Sequence, residues 1–239
     1  MKAMIFAAGL GTRLKEETSD KPKALVKIGS KTLLQLAVEK LKNEGISEVV
    51  VNVHHFSEQV ISFLNKHDFE LPVHISDESE KLLDTGGGLK KAANLLKGNE
   101  PVIIYNVDIL SNLNLQKVVE NHQKSGALVT LVVRTRKTQR YLKFDTEKRM
   151  VGWINKKTGE TKISVPGHFE HSTEMAYSGI HIVQPEIFEL MPPEERFSII
   201  DLYLELAKNH LIKGYFDDSE LWMDVGKPRQ LEEARLLLK

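Results

Sequence analysis

Residues 1–36 read MKAMIFAAGLGTRLKEETSDKPKALVKIGSKTLLQL, and the order of features within them decides the fold. Residues 3–8 are a short apolar run. The run breaks into Gly9-Leu10-Gly11-Thr12-Arg13-Leu14, and a charged, unpatterned segment then closes in Lys21-Pro22-Lys23-Ala24-Leu25-Val26. A continuous apolar run bounded by glycine suits a central strand buried on both faces. Glycines let backbone N–H groups approach a phosphate with no Cβ in the way. The stretch therefore reads as a buried strand feeding a glycine-rich loop. A second, cationic arm carrying Lys23 reaches back over that loop, and Arg13 and Lys23 supply the positive charge the loop lacks.

Outward from this stretch, strands and helices alternate. Residues 32–44 carry apolar side chains at helical spacing, with Gly45 as a C-terminal stop. Residues 48–53 are β-branched and read as a strand, 57–66 as a short helix with Ser57 as its N-cap, and 71–76 as a strand. A helix over 86–96 begins inside the triplet Gly86-Gly87-Gly88, and the strand over 101–106 leads to Asp108. A helix over 114–124 and a strand over 127–134 come next. This alternation predicts an α/β domain with a mixed, mostly parallel sheet flanked by helices. In such sheets ligands sit outside the carboxyl ends of the strands, so residues 9–13 and Asp108 should face one crevice. The second half changes character: short strands over 140–145 and 150–154, an irregular polar segment over 155–173, a strong strand over 175–183, and a helix over 197–209 capped by Ser198. Short strands over 213–216 and 221–223 precede a last helix that Pro228 opens. A nucleotide-binding half (1–135) and an acceptor-binding half (136–239), packed as one body, is the expected organisation.

Composition narrows the class. Lys plus Arg equals Asp plus Glu at 33 each, so a general nucleic-acid coat or a polybasic membrane binder is disfavoured. The absence of cysteine removes disulfides, a thiol nucleophile and cysteine-ligated zinc. No apolar run approaches the ~20 residues of a membrane span, and the first apolar run is too short for a signal peptide. A soluble cytoplasmic protein, monomeric or a small homo-oligomer, is expected.

Two familiar phosphate motifs fail on residues 9–13. A P-loop needs a Gly-Lys-Ser/Thr end, and a dinucleotide fingerprint needs a third small residue where Arg13 and Leu14 stand. The residues downstream of the glycines are more telling. Gly-x-Gly-Thr-Arg-Leu, then Lys-Pro-Lys-Ala-Leu, behind a leading strand resembles the signature of the sugar nucleotidyltransferases, the nucleotide-sugar pyrophosphorylases. The resemblance spans essentially the whole chain and implies a Rossmann-like fold and a Mg²⁺-dependent reaction. In that reaction a nucleotidyl group passes from an NTP to a sugar 1-phosphate, and pyrophosphate leaves. It implies that Ala8, Gly9, Leu10, Gly11 and Thr12 bind the nucleotide phosphates, with Arg13 on the departing pyrophosphate and Lys23 on the reacting phosphates. Asp108, in Tyr105-Asn106-Val107-Asp108, matches the family's metal-holding aspartate, with Val107 where relatives have glycine. Asp224, in Trp222-Met223-Asp224-Val225-Gly226, matches the Trp-x-Asp-x-Gly element and is the second expected ligand. Mg²⁺ commonly takes one or two carboxylates plus substrate phosphates and water, so two suffice.

The glycine triplet is costly in a helix, roughly 1 kcal/mol per glycine relative to alanine. Some close approach must compensate, and a flat base against the bare backbone of Gly86 and Gly87 is the natural candidate. The Thr-Gly-Gly-Gly form resembles the N-acetylmuramate-1-phosphate uridylyltransferases most, and certain mannose-1-phosphate guanylyltransferases next. UTP with N-acetylmuramate 1-phosphate is therefore the leading substrate pair, and cell-wall precursor synthesis its setting. GTP with mannose 1-phosphate or another hexose 1-phosphate, and CTP with a phospho-alcohol, are the alternatives. Ser178 and Gly179, in Tyr177-Ser178-Gly179-Ile180, resemble the family's small-residue step at the sugar pocket. Asn155 and Lys156 lie where relatives place a lysine on the sugar phosphate, though the glutamate that normally precedes it is missing and Lys157 adjoins. Lys143 reads as a solvated strand residue. His54, His55, His168 and His171 have no zinc or nucleophile partners in the sequence and read as structural. A nucleotide-sugar-sensing subunit would have shed the aspartates or the basic loop residues; Arg13, Lys23, Asp108 and Asp224 are all present, which favours the enzyme. No appended hexapeptide-repeat domain is expected.

Overall fold

The computed structural model describes residues 1–237. β1 (Lys2–Phe6) leads into a 3-10 turn over Thr12–Thr18, a second over Lys23–Leu25, and a two-residue hairpin of β2 (Lys27–Ile28) and β3 (Lys31–Thr32). Then α1 (Leu33–Asn43), β4 (Glu48–Val53), α2 (Ser57–Lys66), β5 (Val73–Asp77), α3 (Asp84–Leu96) and β6 (Val102–Asn106) alternate. β7 (Ile109–Ser111), α4 (Leu115–Ser125) and β8 (Val129–Arg134) complete the first half. The second contains β9 (Arg140–Phe144), β10 (Met150–Asn155), β11 (Thr161–Ile163), α5 (Pro166–Phe169) and the long β12 (Thr173–Val183). α6 (Ile199–Leu206), β13 (Ile212–Phe216), β14 (Trp222–Asp224) and α7 (Pro228–Leu237) close it.

One mixed ten-stranded sheet runs through both halves. β5, β4, β1 and β6 form its parallel part, with Met4 opposite Val50 on one side and Ile104 on the other. β12 runs antiparallel to β6, and its outer edge is shared by β8 and β9. β1 is buried because both its edges and both its faces are covered. Ala3 and Ile5 join a core with α1, α2, α4 and α7, while Met4 joins the opposite core with α3 and α6. The alternation of side chains along a strand accounts for the split. No helix among the described residues is long and apolar enough to cross a membrane.

Local signals set most helix ends. Thr32 and Gln35 form a reciprocal capping box on α1, Asn114 accepts from the Lys117 N–H to cap α4, and Gly45 follows α1 with φ of 81°. Three expectations need correction. Ser57 is the first residue of α2 rather than its cap; the cap position is Phe56, in the left-handed region at φ 52°. α6 is shorter than residues 197–209, and Ser198 makes no side-chain cap bond; Thr85 Oγ1 instead accepts from the Ile199 N–H at 3.0 Å. The segment 155–173 is not wholly irregular, because β11 pairs with β10 and α5 covers β10. That cover also buries Lys143, 6% exposed, with its Nζ 4.1 Å from the Phe169 ring centroid, so it is not a solvated residue.

Candidate active site

The carboxyl ends of β1, β4 and β6 and the start of α3 open on a crevice of about 370 Å³. Ala7, Ala8, Gly9, Asn52, Glu78, Asp84, Thr85, Asn106 and Asp108 line it, and Lys23 and Arg196 reach it from the side. The glycine loop is held from beneath. Asn52, 3% exposed at the end of β4, accepts from the N–H groups of Ala7 at 2.7 Å and Ala8 at 3.3 Å, and donates to Glu78 Oε1 at 2.7 Å. The Ala8 amide is thus turned inward onto Asn52, not outward to a ligand as expected. Glu78 is 1% exposed and its Oε2 has no partner among the described residues. Burial pushes its carboxyl above the usual range, against the Asn52 and Leu83 hydrogen bonds that lower it.

Gly9 faces the crevice, with no atom within 4 Å of where a Cβ would sit. Gly11 is required for another reason. Its φ is 67°, and a Cβ there would lie 3.0 Å from Thr18 Cγ2 and 3.1 Å from Lys23 Cβ. The bare Cα lets the cationic arm fold back over the loop. Leu10, 44% exposed, and Thr12 stand on the loop's outer surface.

Lys23 Nζ forms an ion pair with Asp108, whose side chain is almost fully buried. Asp224 arrives from more than a hundred residues away. β14 pairs with β7, setting Asp224 opposite Ile109, and the Val225 N–H donates to the Asp108 carbonyl at 2.9 Å. The two carboxyls are close enough for each to shift the other's titration. A Cβ on Gly226 would lie 2.7 Å from an Arg13 Nη, 2.8 Å from Asp224 Oδ1 and 3.0 Å from Asp108 Oδ2, so the three side chains crowd one point. Arg13 Nη1 is 3.9 Å from Asp224 Oδ2. Burial raises the Asp108 carboxyl, and the Asp224 charge adds to this against the Lys23 ammonium. Burial acts on Asp224 in the same sense, but the Gly226 N–H, the neighbouring Asp108 carboxyl, Lys23 and Arg13 outweigh it and hold that carboxyl low. Two acidic groups this close repel when both are ionised, and a divalent cation between them relieves that repulsion. Among the described residues no cluster of three or more His, Asp or Glu is placed to hold a metal by protein ligands alone. Two adjacent carboxylates, one of them lining the crevice, fit Mg²⁺, which completes its shell with phosphate oxygens and water.

The glycine triplet serves the chain's own packing. A Cβ on Gly86 would run into the Phe197 ring, one on Gly87 into the Glu195 carbonyl, and one on Gly88 would sit 2.8 Å from Glu78 Oε1. The close approach expected of a base at Gly86 and Gly87 is made by residues 195–197, and Asp84 and Thr85 form the crevice wall instead. Gly179, at φ 80°, is covered by Ile109, whose Cγ1 would lie 2.7 Å from a Cβ; it lets β12 pass close behind Asp108. The Ser178 carbonyl accepts from Trp222 Nε1 at 2.9 Å, and its buried hydroxyl has no partner among the described residues. Lys156 Nζ is paired with Glu174 at 2.7 Å, and Asn155 Oδ1 accepts from the Lys157 N–H at 3.0 Å; neither lines the crevice. Of the named histidines, His54 Nδ1 meets the Glu78 carbonyl at 2.6 Å and His168 lies 3.3 Å from Asp145.

Sequence reasoning passed over Asn52, Glu78 and Arg136. A signal for Asn52 was available: it is the lone polar residue in the run Val49-Val50-Val51-Asn52-Val53. A polar side chain inside a buried strand needs hydrogen-bond partners, and here they are the glycine loop and Glu78.

A family model described as "Nucleotidyl transferase" matches residues 2–239. The N-acetylmuramate alpha-1-phosphate uridylyltransferase of Caulobacter vibrioides is 34% identical over 247 residues, covering 98% of this chain and 96% of that protein. The mannose-1-phosphate guanyltransferase of Yarrowia lipolytica is 30% identical over 96% of this chain, which spans 61% of that protein's length. Among solved structures, HddC from Yersinia pseudotuberculosis superposes with a TM-score of 0.80 at 23% identity, covering 100% of this chain and 99% of that one.

Proposed function

The chain belongs to the nucleotidyl transferase family, and on that premise we propose that it transfers a uridylyl group from UTP to N-acetylmuramate 1-phosphate, releasing pyrophosphate. The observation that carries the reading is the meeting of Asp224 and Arg13 with Asp108 and Lys23, the last two of which line the crevice beside the glycine loop. Charge neutralisation at transferring phosphates is the chemistry such a cluster supplies.

The attacking oxygen belongs to a phosphate whose second pKa is about 6, so it is largely ionised at neutral pH and needs no general base. This accounts for a site with cations and carboxylates but no catalytic histidine. Catalysis rests on alignment and charge. Lys23 neutralises the reacting phosphates, and Arg13, on the exposed side of the carboxylate pair, holds the departing pyrophosphate. Asn52 fixes the loop through Ala7 and Ala8, which keeps Gly9 open toward the nucleotide. Mg²⁺ held by Asp108 and Asp224 supplies further neutralisation of phosphate charge when bound.

The resemblance in length and identity to the uridylyltransferase favours this substrate pair. Similarity to the guanyltransferases supports GTP with mannose 1-phosphate as the second reading. Pyrophosphate release measured for the two pairs side by side decides between them. Asp108→Asn should lower turnover by about 100-fold or more with the fold intact. Unchanged turnover in that variant, or no pyrophosphate from any NTP and sugar 1-phosphate, would refute the reading.

A further inference from the structure

Arg136 lies on the connection between β8 and β9, near enough to Asp224 to feel its charge. Its guanidinium stands over the Trp222 indole, 4.7 Å from the ring centroid, and its Nη2 donates to the Tyr177 carbonyl at 3.0 Å. Trp222 lies two residues before Asp224, and Tyr177 immediately precedes Ser178 and Gly179. The guanidinium is therefore set between β14, which carries Asp224, and β12 at Tyr177.

Its environment is unlike that of its neighbour. Arg134 stands over the same indole at 5.4 Å, but Asp217 at 3.4 Å and the Ser219 carbonyl at 3.0 Å satisfy it. Arg136 makes no ion pair among the described residues, and its Nε is buried with no hydrogen-bond partner. Burial works against its charge, and only the more distant Asp224 and Tyr141 support it. A half-buried cation with no carboxylate on it, and with Nη1 free of any hydrogen bond among the described residues, invites an anion. Meanwhile Lys156, one of two adjacent lysines where the family resemblance places a sugar-phosphate lysine, is paired with Glu174.

We propose that Arg136, rather than Lys156, receives an oxyanion of the acceptor, in a planar fork over Trp222; this rests on the nucleotidyl-transfer reading. The oxyanion is either the anomeric phosphate or a carboxylate elsewhere on the sugar. Arginine suits both, since its fixed fork matches either group in bidentate fashion.

The test compares wild type, R136Q and R136K with two acceptors, N-acetylmuramate 1-phosphate and N-acetylglucosamine 1-phosphate, which lacks the carboxylate. Steady-state KM for the acceptor and for the NTP are measured, together with Tm and calorimetric binding of each acceptor without turnover. R136Q should raise the acceptor KM and weaken acceptor binding by about 10- to 100-fold, with the NTP KM within about 3-fold and R136K intermediate. Loss on both acceptors identifies the phosphate; loss confined to N-acetylmuramate 1-phosphate identifies the carboxylate. Acceptor binding by R136Q equal to wild type overturns the inference, as does a larger acceptor effect from K156Q than from R136Q. A wild-type protein that binds an acceptor through Arg136 yet releases no pyrophosphate would sink the functional reading while leaving Arg136 as an anion receptor. If neither acceptor binds the wild type, both fail.

Discussion

Replacing Asn52 by alanine should damage the glycine loop from beneath. Asn52 is 3% exposed and makes hydrogen bonds to Ala7, Ala8 and Glu78 at 2.7, 3.3 and 2.7 Å. Each such bond contributes about 1 kcal/mol net, so truncation costs about 3 kcal/mol. For a chain of this size about 2–4 °C of Tm follows each kcal/mol, which puts the expected fall at about 6–12 °C. Asn52→Asp separates the two jobs of the side chain. It keeps the acceptor for Ala7 and Ala8 but sets a carboxylate against Glu78, whose own carboxyl burial already raises. The two acids would then share one proton in the folded state, with a folded pKa above the unfolded value. Stability from that proton is present at low pH and lost as pH rises through the folded pKa. N52D should therefore approach wild-type Tm in acid and fall away from it toward pH 8, whereas N52A, which only removes the Asn52 bond that lowers Glu78, shows a shallower trend of the same sign. Calorimetric Tm between pH 5 and 8, with kcat/KM measured at 25 °C, is the assay. An N52A protein whose Tm lies within about 2 °C of wild type, with kcat/KM unchanged, would refute the argument that the loop depends on this residue.

His122 has no exposed surface, and burial alone pushes it down to about 4 from its ordinary 6.5. The unfolded chain takes up this proton first, so stability should decline below pH 6.5, by about 3 kcal/mol at pH 4. H122Q should flatten that slope relative to wild type, and identical slopes in urea titrations across this range would contradict it. Gly87→Ala would push a methyl into the Glu195 carbonyl, at a cost of about 1–3 kcal/mol, read as a lower urea midpoint with unchanged m-value. An unaltered midpoint would show that residues 195–197 yield freely.

The alternating strands and helices of the first half were legible because each element carries its own signal. β1 is a bare apolar run, α1 has a capping box and a glycine stop, and β4 is β-branched. The residues of the amino-terminal loop could also be picked out, since Gly11, Arg13 and Lys23 occur in a fixed order within a short stretch. Three-residue β7 carried no such signal. It exists because β14 pairs with it from more than a hundred residues away, and the same pairing brings Asp224 to Asp108. The reason for the glycine triplet was likewise out of reach, since the atoms that need the room belong to Glu195 and Phe197. Local chemistry along the chain thus determined which elements form and which residues carry charge. Only the closed fold decided which charges meet, which are paired with protein partners, as Lys156 is with Glu174, and which, like Arg136, are left without a carboxylate partner among the described residues. Contact between distant segments depends on sheet order and packing, and no window of sequence encodes either.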